Sequence, residues 1–226
     1  MSGIAKVEVI PLIVRDETAD SLDGTTDTVL VRLTDADGRT GIGECDAPPE
    51  AIKAFIDMPT AHFWSESMAR LLIGADPVEI GALWEKLYQS TFYSGRRGIG
   101  IHALSGIDIA LHDLAGKQLG LPAYKLMGGA RRDKLRPYCT IYPGLARPGQ
   151  TVRDLMAIIE QQFEKAIGLG FRAVKMEVVF FDLVTDAGLV ELIKEGRRMV
   201  GDNITLMLDF GYRWHSWQDA RWVMDR

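Results

Sequence analysis

Ala173-Val174-Lys175-Met176-Glu177-Val178, a helical run from Ala187 to Val200, and then Ile204-Thr205-Leu206-Met207-Leu208-Asp209 read as strand, helix, strand. Short apolar runs bounded by turn-forming residues suit strands buried on both faces. The same grammar extends outward. Upstream, Pro137–Tyr142 reads as a strand and Thr151–Leu169 as a helix; downstream, a third helix opens near Trp217. Strict alternation implies a parallel sheet, because each strand must return through a covering crossover helix.

Before about residue 135 the pattern differs. Lys6 to Val14 and Thr28 to Leu33 read as strands, Asp35-Ala36-Asp37-Gly38 as a turn, and Thr40 to Glu44 as the returning strand of a hairpin. Arg15 to Thr26 is polar and reads as a surface loop. Asp76-Pro77 reads as a helix start, followed by Ile80, Leu83, Trp84 and Leu87 at helical spacing. A long helix from Gly100 to Leu119 repeats Leu104, Ile107, Leu111 and Leu114, then stops at Gly120 with Pro122 beyond.

Composition narrows the function classes. The 226 residues carry 26 Lys+Arg against 31 Asp+Glu, and no basic run resembles a nucleic-acid footprint. Only Arg96-Arg97, in a Gly-rich loop, reads as an anion contact. Two distant cysteines, Cys45 and Cys139, argue against a disulfide framework or a thiolate metal site. The start lacks a secretory pattern and no apolar run approaches the roughly 20 residues that span a bilayer. A cytoplasmic protein with no membrane or nucleic-acid partner is expected.

Lys175, Glu177 and Asp209 are the polar residues near the C-terminal ends of apolar strands, where α/β barrels place their chemistry. An ionised carboxylate there calls for a partner, such as a divalent cation. Pattern alone leaves Asp209 open as a metal ligand or as a cap for the next turn, and Lys175 as a snorkelling lysine paired with Glu177. Glu44 fits an exposed strand end, and His102 and His112 fit a helix face. No GxGxxG, Walker A, GxSxG or HExxH pattern occurs.

Ala103-Leu104-Ser105-Gly106-Ile107-Asp108-Ile109-Ala110-Leu111-His112-Asp113-Leu114-Ala115-Gly116-Lys117, followed by Leu121-Pro122-Ala123-Tyr124-Lys125-Leu126-Met127-Gly128-Gly129, resembles the helix and turn joining cap to barrel in the mandelate racemase branch of the enolase superfamily. Gly41-Ile42-Gly43-Glu44 resembles that family's cap hairpin, Ala173–Glu177 its second barrel strand and Leu206–Asp209 its third. The resemblance implies an α+β cap domain, residues 1–135, followed by the start of a (β/α)8 TIM-like barrel, residues 136–226. Three βα units do not close such a barrel, so a longer protein carrying the C-terminal half is expected.

The resemblance further implies Mg²⁺, with Asp209 at the first metal-ligand position, and a small-molecule carboxylate substrate whose α-proton is removed through an enediolate. Lys175 and Glu177 are the catalytic candidates from the second strand; Arg15, Asp16, Arg96 and Arg97, with Ala47 to Met58, are the expected cap contacts. Two departures bear on the reaction. The family's K-x-K is Lys175-Met176-Glu177 here, and its Asp-x-Asn is Asp209-Phe210-Gly211. They favour dehydration of an acid sugar or hydroxy acid over two-base racemisation, with Lys175 cationic and the base elsewhere. Racemase, epimerase or cycloisomerase activity is the alternative, and a non-catalytic binding domain is the reading if the natural chain ends at Arg226. A homo-oligomer is expected by analogy with the family.

Overall fold

Val29, Val31 and Leu33, all fully buried, alternate with half-buried neighbours and make Thr28–Asp35 the central strand, β2, of an antiparallel sheet. Its neighbours are β1 (Ile4–Leu12) and β3 (Thr40–Cys45), in the order β1-β2-β3. The computed structural model describes residues 2–13, 27–144, 147–178 and 183–226. The expected loop Arg15 to Thr26, including Arg15 and Asp16, lies outside the described residues. β1 begins two residues before the expected Lys6, because Ile4 exchanges backbone hydrogen bonds with Gly74 and Ala75 and pairs with Asp35.

Among the described residues of this first unit the helices are α1 (Pro49–Asp57), α2 (Met68–Leu72), α3 (Ile80–Ser90), α4 (Ile99–Leu119) and α5 (Ala123–Leu126). Ala47 to Met58, expected to supply cap contacts, is mostly the helix α1. Its Ile52 and Ile56, one turn apart, are fully buried. The helix start expected at Asp76-Pro77 is instead a turn: Asp76 accepts the Val78 N–H at 3.0 Å, and α3 opens at Ile80. The competing physics is the Asx turn, in which a short carboxylate bonds its own backbone two residues on.

α4 lies on the sheet through Ala103, Leu104, Ile107, Ala110, Leu111 and Leu114, and it ends at Gly120 in the left-handed region with φ 65°. Its approach is backbone to backbone. A Cβ at Gly43 would fall on the Gly106 carbonyl oxygen, and one at Gly41 on that of Ala110. On β3 the Ile42 N–H donates to Asp113 at 2.9 Å, while Lys117 donates to the Thr40 carbonyl at 2.7 Å. The helix thereby satisfies groups that an edge strand would otherwise present for further pairing.

Asp35 is the charged group this unit buries most completely, with no side-chain surface exposed. It accepts from the Asp37 and Arg39 backbone N–H groups, the Arg39 guanidinium and Gln118 Nε2, at 2.8–3.1 Å. Burial pushes its pKa up, but these hydrogen bonds outweigh burial and the net direction is down. A depressed folded pKa contributes stability that is present above the unfolded value of about 3.9 and lost as pH falls through the folded value. Asp35→Asn is expected to cost roughly 1–3 kcal/mol at neutral pH. The gap between variant and wild type in urea unfolding should narrow below about pH 4; a gap of constant size would show that the charge contributes nothing.

The second unit begins at Arg132. It runs β4 (Cys139–Ile141), α6 (Val152–Gly168), β5 (Ala173–Glu177), α7 (Asp186–Val200), β6 (Thr205–Asp209) and α8 (Trp217–Met224), with a parallel sheet ordered β4-β5-β6. The three helices start at Thr151, Thr185 and Ser216, whose hydroxyls each accept an N3 backbone N–H. Val174 and Met176 are fully buried, in one core with Ile159 and Phe163 of α6 and Leu189 of α7. Alternation therefore sends Lys175 and Glu177 to the other face of the sheet.

Candidate active site

Register across the parallel ladder assembles the polar residues that the sequence separates. Lys175 lies opposite Thr140 and Met207, and Glu177 lies opposite Asp209. The Val178 N–H donates to the Asp209 carbonyl at 2.9 Å, so pairing continues past the last residue of β5. Glu177 and Asp209 thus end adjacent strands at the same level, at the sheet's C-terminal edge.

Lys175 Nζ donates to Asp209 Oδ2 at 2.9 Å and lies 3.7 Å from Glu177 Oε1. The Lys175 side chain is 23% exposed and the Glu177 side chain 10%, while the Asp209 side chain retains 42% of its surface. The hydrogen bond from Lys175 holds the Asp209 carboxyl below its ordinary range, helped by the Gly211 N–H and opposed by burial. Reciprocally, the bond to Asp209 raises the Lys175 pKa against the opposing effect of burial, with Glu177 and Tyr138 adding to the rise. Lys175 is an ammonium at neutral pH, flanked by two carboxylates.

Asp209 uses its two oxygens differently, and one of them makes the cap expected of it. Oδ1 accepts the Gly211 N–H at 3.0 Å, which makes the turn after β6, and Oδ2 faces Lys175. Beyond that turn Arg213 and Trp214 both donate to the Asp186 carboxylate at the start of α7, and Arg213 also bonds the Val184 carbonyl. These contacts brace the loop that follows Asp209. Sequence reasoning passed over them, and also over Tyr138, whose ring centroid lies 6.0 Å from Lys175 Nζ. An aromatic just before an apolar strand carries no signal of its own.

Arg96 and Arg97 belong to the first unit. The Arg96 guanidinium sits over Phe92 at 4.1 Å and Tyr88 at 5.0 Å from the ring centroids, a cation–π arrangement, and Arg97 is exposed. Glu44 is held at its strand end by the Thr28 hydroxyl at 2.6 Å. Among the described residues no group of three or more His, Cys, Asp or Glu is arranged to hold a metal ion. Mg²⁺ needs fewer from the protein: it takes oxygen donors, commonly one or two carboxylates with waters retained. A partly exposed carboxylate such as that of Asp209 is a donor of that kind.

An antiparallel α+β unit followed by parallel βα units, with ionisable residues gathered at the strand ends, is the architecture of a capped α/β barrel. Residues 10–128 match the N-terminal domain of the mandelate racemase / muconate lactonizing enzyme family, and the chain belongs to that family. It is 31% identical over 189 residues to a 3,6-anhydro-alpha-L-galactonate cycloisomerase of Streptomyces coelicolor, a match covering 82% of this chain and 47% of the relative. To an L-rhamnonate dehydratase of Saccharopolyspora erythraea it is 30% identical over 185 residues, covering 80% and 40%. The solved structure of a racemase from Streptomyces coelicolor A3(2) with bound magnesium superposes with a TM-score of 0.76 at 26% identity, covering 98% of this chain and 58% of that one. The chain therefore spans less than half the length of these two curated relatives, and its parallel strands are the start of the barrel. Among the described residues no helix is long and apolar enough to cross a membrane.

Proposed function

We propose that the protein carrying this chain is an acid-sugar or hydroxy-acid dehydratase, which removes the α-proton of a carboxylate substrate and expels the β-hydroxyl as water. The observation that carries this reading is the Lys175–Asp209 pair, 2.9 Å apart at the C-terminal ends of adjacent parallel strands. An α-proton beside a carboxylate is very weakly acidic, so positive charge must meet the substrate's oxygens as negative charge grows on them. Mg²⁺, held by Asp209, would supply Lewis-acid charge to that carboxylate.

The chain's own residues take the remaining roles at this end of the sheet. Lys175 stays protonated, so it orients and neutralises the substrate carboxylate rather than taking the proton. Glu177 stands where a second lysine would serve as base, which speaks against racemisation by a base on each face. Loss of the α-proton and of the β-hydroxide gives an enol, and its tautomerisation yields a 2-keto-3-deoxy acid.

The test is NMR of the natural polypeptide in D₂O with Mg²⁺ and a panel of sugar acids. Loss of the α-proton signal together with appearance of a 2-keto product is expected for one or more members of the panel. Exchange with inversion and no keto product would replace this reading with a racemase. No exchange of any kind across the panel would sink it.

A further inference from the structure

A partly exposed aspartate turns about its side-chain bonds, and a metal ligand has to be held in one direction by the groups around it. The main chain of Asp209 is fixed by the Val178 N–H on its carbonyl, and its Oδ1 by the Gly211 N–H at 3.0 Å. The aim of Oδ2 therefore depends on where Gly211 stands. Gly211 has φ 54°, in the left-handed region, inside a turn closed by the Arg213 N–H on the Phe210 carbonyl at 3.2 Å. Gly211 and Tyr212 are exposed, so the tip of the turn is not held by burial of its own.

The turn is tied down from its far side. Arg213, whose side chain is 9% exposed, brings Nε and Nη2 to Asp186 Oδ1 at 2.9 and 2.8 Å, and Nη2 also donates to the Val184 carbonyl at 2.7 Å. Trp214 Nε1 donates to the other Asp186 oxygen at 3.1 Å, and its ring packs on Phe210 with 4.8 Å between centroids. Phe210 is the immediate neighbour of Asp209. Asp186 is the first residue of α7, where the helix dipole favours a carboxylate. We infer that Arg213 and Asp186 are positioning residues for the metal-facing carboxylate, an inference that rests on the reading of Asp209 as a ligand. Stability alone is a poor account of the arginine. Its Nη1 is buried without a hydrogen-bond partner among the described residues, a cost that an apolar side chain of similar length would not carry. What the guanidinium adds is direction, because N–H groups on a rigid fork fix both the place and the angle of the turn.

Mg²⁺ affinity by calorimetry without substrate, and hydrogen exchange by mass spectrometry without metal, test this in the natural polypeptide and in Arg213→Met, Arg213→Lys and Asp209→Asn. Arg213→Met should fold, because Asp186 is 38% exposed and keeps its bond from Trp214. It should weaken Mg²⁺ binding on the order of tenfold, the low end for groups that orient a ligand. Exchange should quicken several-fold in the segment around Gly211 and stay as in wild type around Leu189, in the buried face of α7. Arg213→Lys keeps the charge and a donor for Asp186, and should fall between wild type and Arg213→Met in both measurements. Wild-type Mg²⁺ affinity in Arg213→Met, with Asp209→Asn impaired, overturns the positioning role alone. Equal quickening around Gly211 and Leu189 overturns it as well, by making the cluster a general support of α7. Undiminished Mg²⁺ affinity in Asp209→Asn strikes the underlying reading of Asp209 instead, and the inference with it.

Discussion

Gly43→Ala is expected to destabilise the first unit by roughly 3 kcal/mol or more, enough to unfold it in mild denaturant. The added methyl has nowhere to go: it meets the Gly106 carbonyl oxygen and lies 2.7 Å from the Ala110 backbone nitrogen, so the obstacle is the α4 backbone itself. A flexible side chain could rotate away, but here the helix must lift off the sheet. That would loosen Leu104, Ile107 and Leu111 from Val29, Val31 and Leu33, which form the centre of this core. Gly81→Ala is the matched control. Gly81 lies inside α3 with no atom within 4 Å of its would-be Cβ, so the same methyl should be neutral or stabilise by up to about 1 kcal/mol. Urea unfolding followed by circular dichroism compares the two. Equal effects at both positions would show that the close approach of α4 to β3 is not what requires glycine at position 43.

The same glycines explain what the sequence discloses and what it withholds. Gly41 and Gly43 in a strand are locally unfavourable, so their presence signals a close backbone approach, though not which helix approaches. α4 was legible because a long apolar repeat and a left-handed Gly120 are local signals. The βα alternation from Ala173 onward was legible for the same reason. α1 was passed over although Pro49 at its start and Ile52, Phe55 and Ile56 at helical spacing were available, because the run is short and Ala47 to Met58 was read only as a source of cap contacts. At Asp76 two local preferences competed, and the side chain's bond to Val78 prevailed over helix capping.

The candidate site divides along the same line. Lys175 and Glu177 are two apart on one strand, so their pairing is visible in the sequence. The shorter contact, from Lys175 to Asp209, joins residues 34 apart. It depends on the register of β5 against β6, which the packing of α7 sets and no local pattern announces. In α7, Gly196 lets Met176 approach: a Cβ there would lie 3.1 Å from its Sδ. A one-residue slip would send Lys175 to the opposite face from Asp209. The partners of a strand-end charge are a tertiary property even when its position is a local one.

Asp209→Asn is expected to abolish detectable α-proton exchange and weaken Mg²⁺ binding by on the order of a hundredfold, while leaving the fold almost untouched. The separation follows from the two oxygens. Asparagine keeps a carbonyl oxygen that can accept the Gly211 N–H, so the turn after β6 survives, as do the Arg213 and Trp214 bonds that brace it. What disappears is the negative charge facing Lys175. Because Asp209 is 42% exposed, losing that ion pair should cost no more than about 1 kcal/mol. Asp209→Ala removes both functions and should also lower the unfolding midpoint, by the loss of one backbone-capping hydrogen bond. Measuring exchange, Mg²⁺ affinity and unfolding in parallel separates turn-former from ligand. If Asp209 serves the turn alone, the Asn variant will retain exchange and metal affinity, and only the Ala variant will suffer. If it serves the cation, both variants will be inactive although only one of them is less stable.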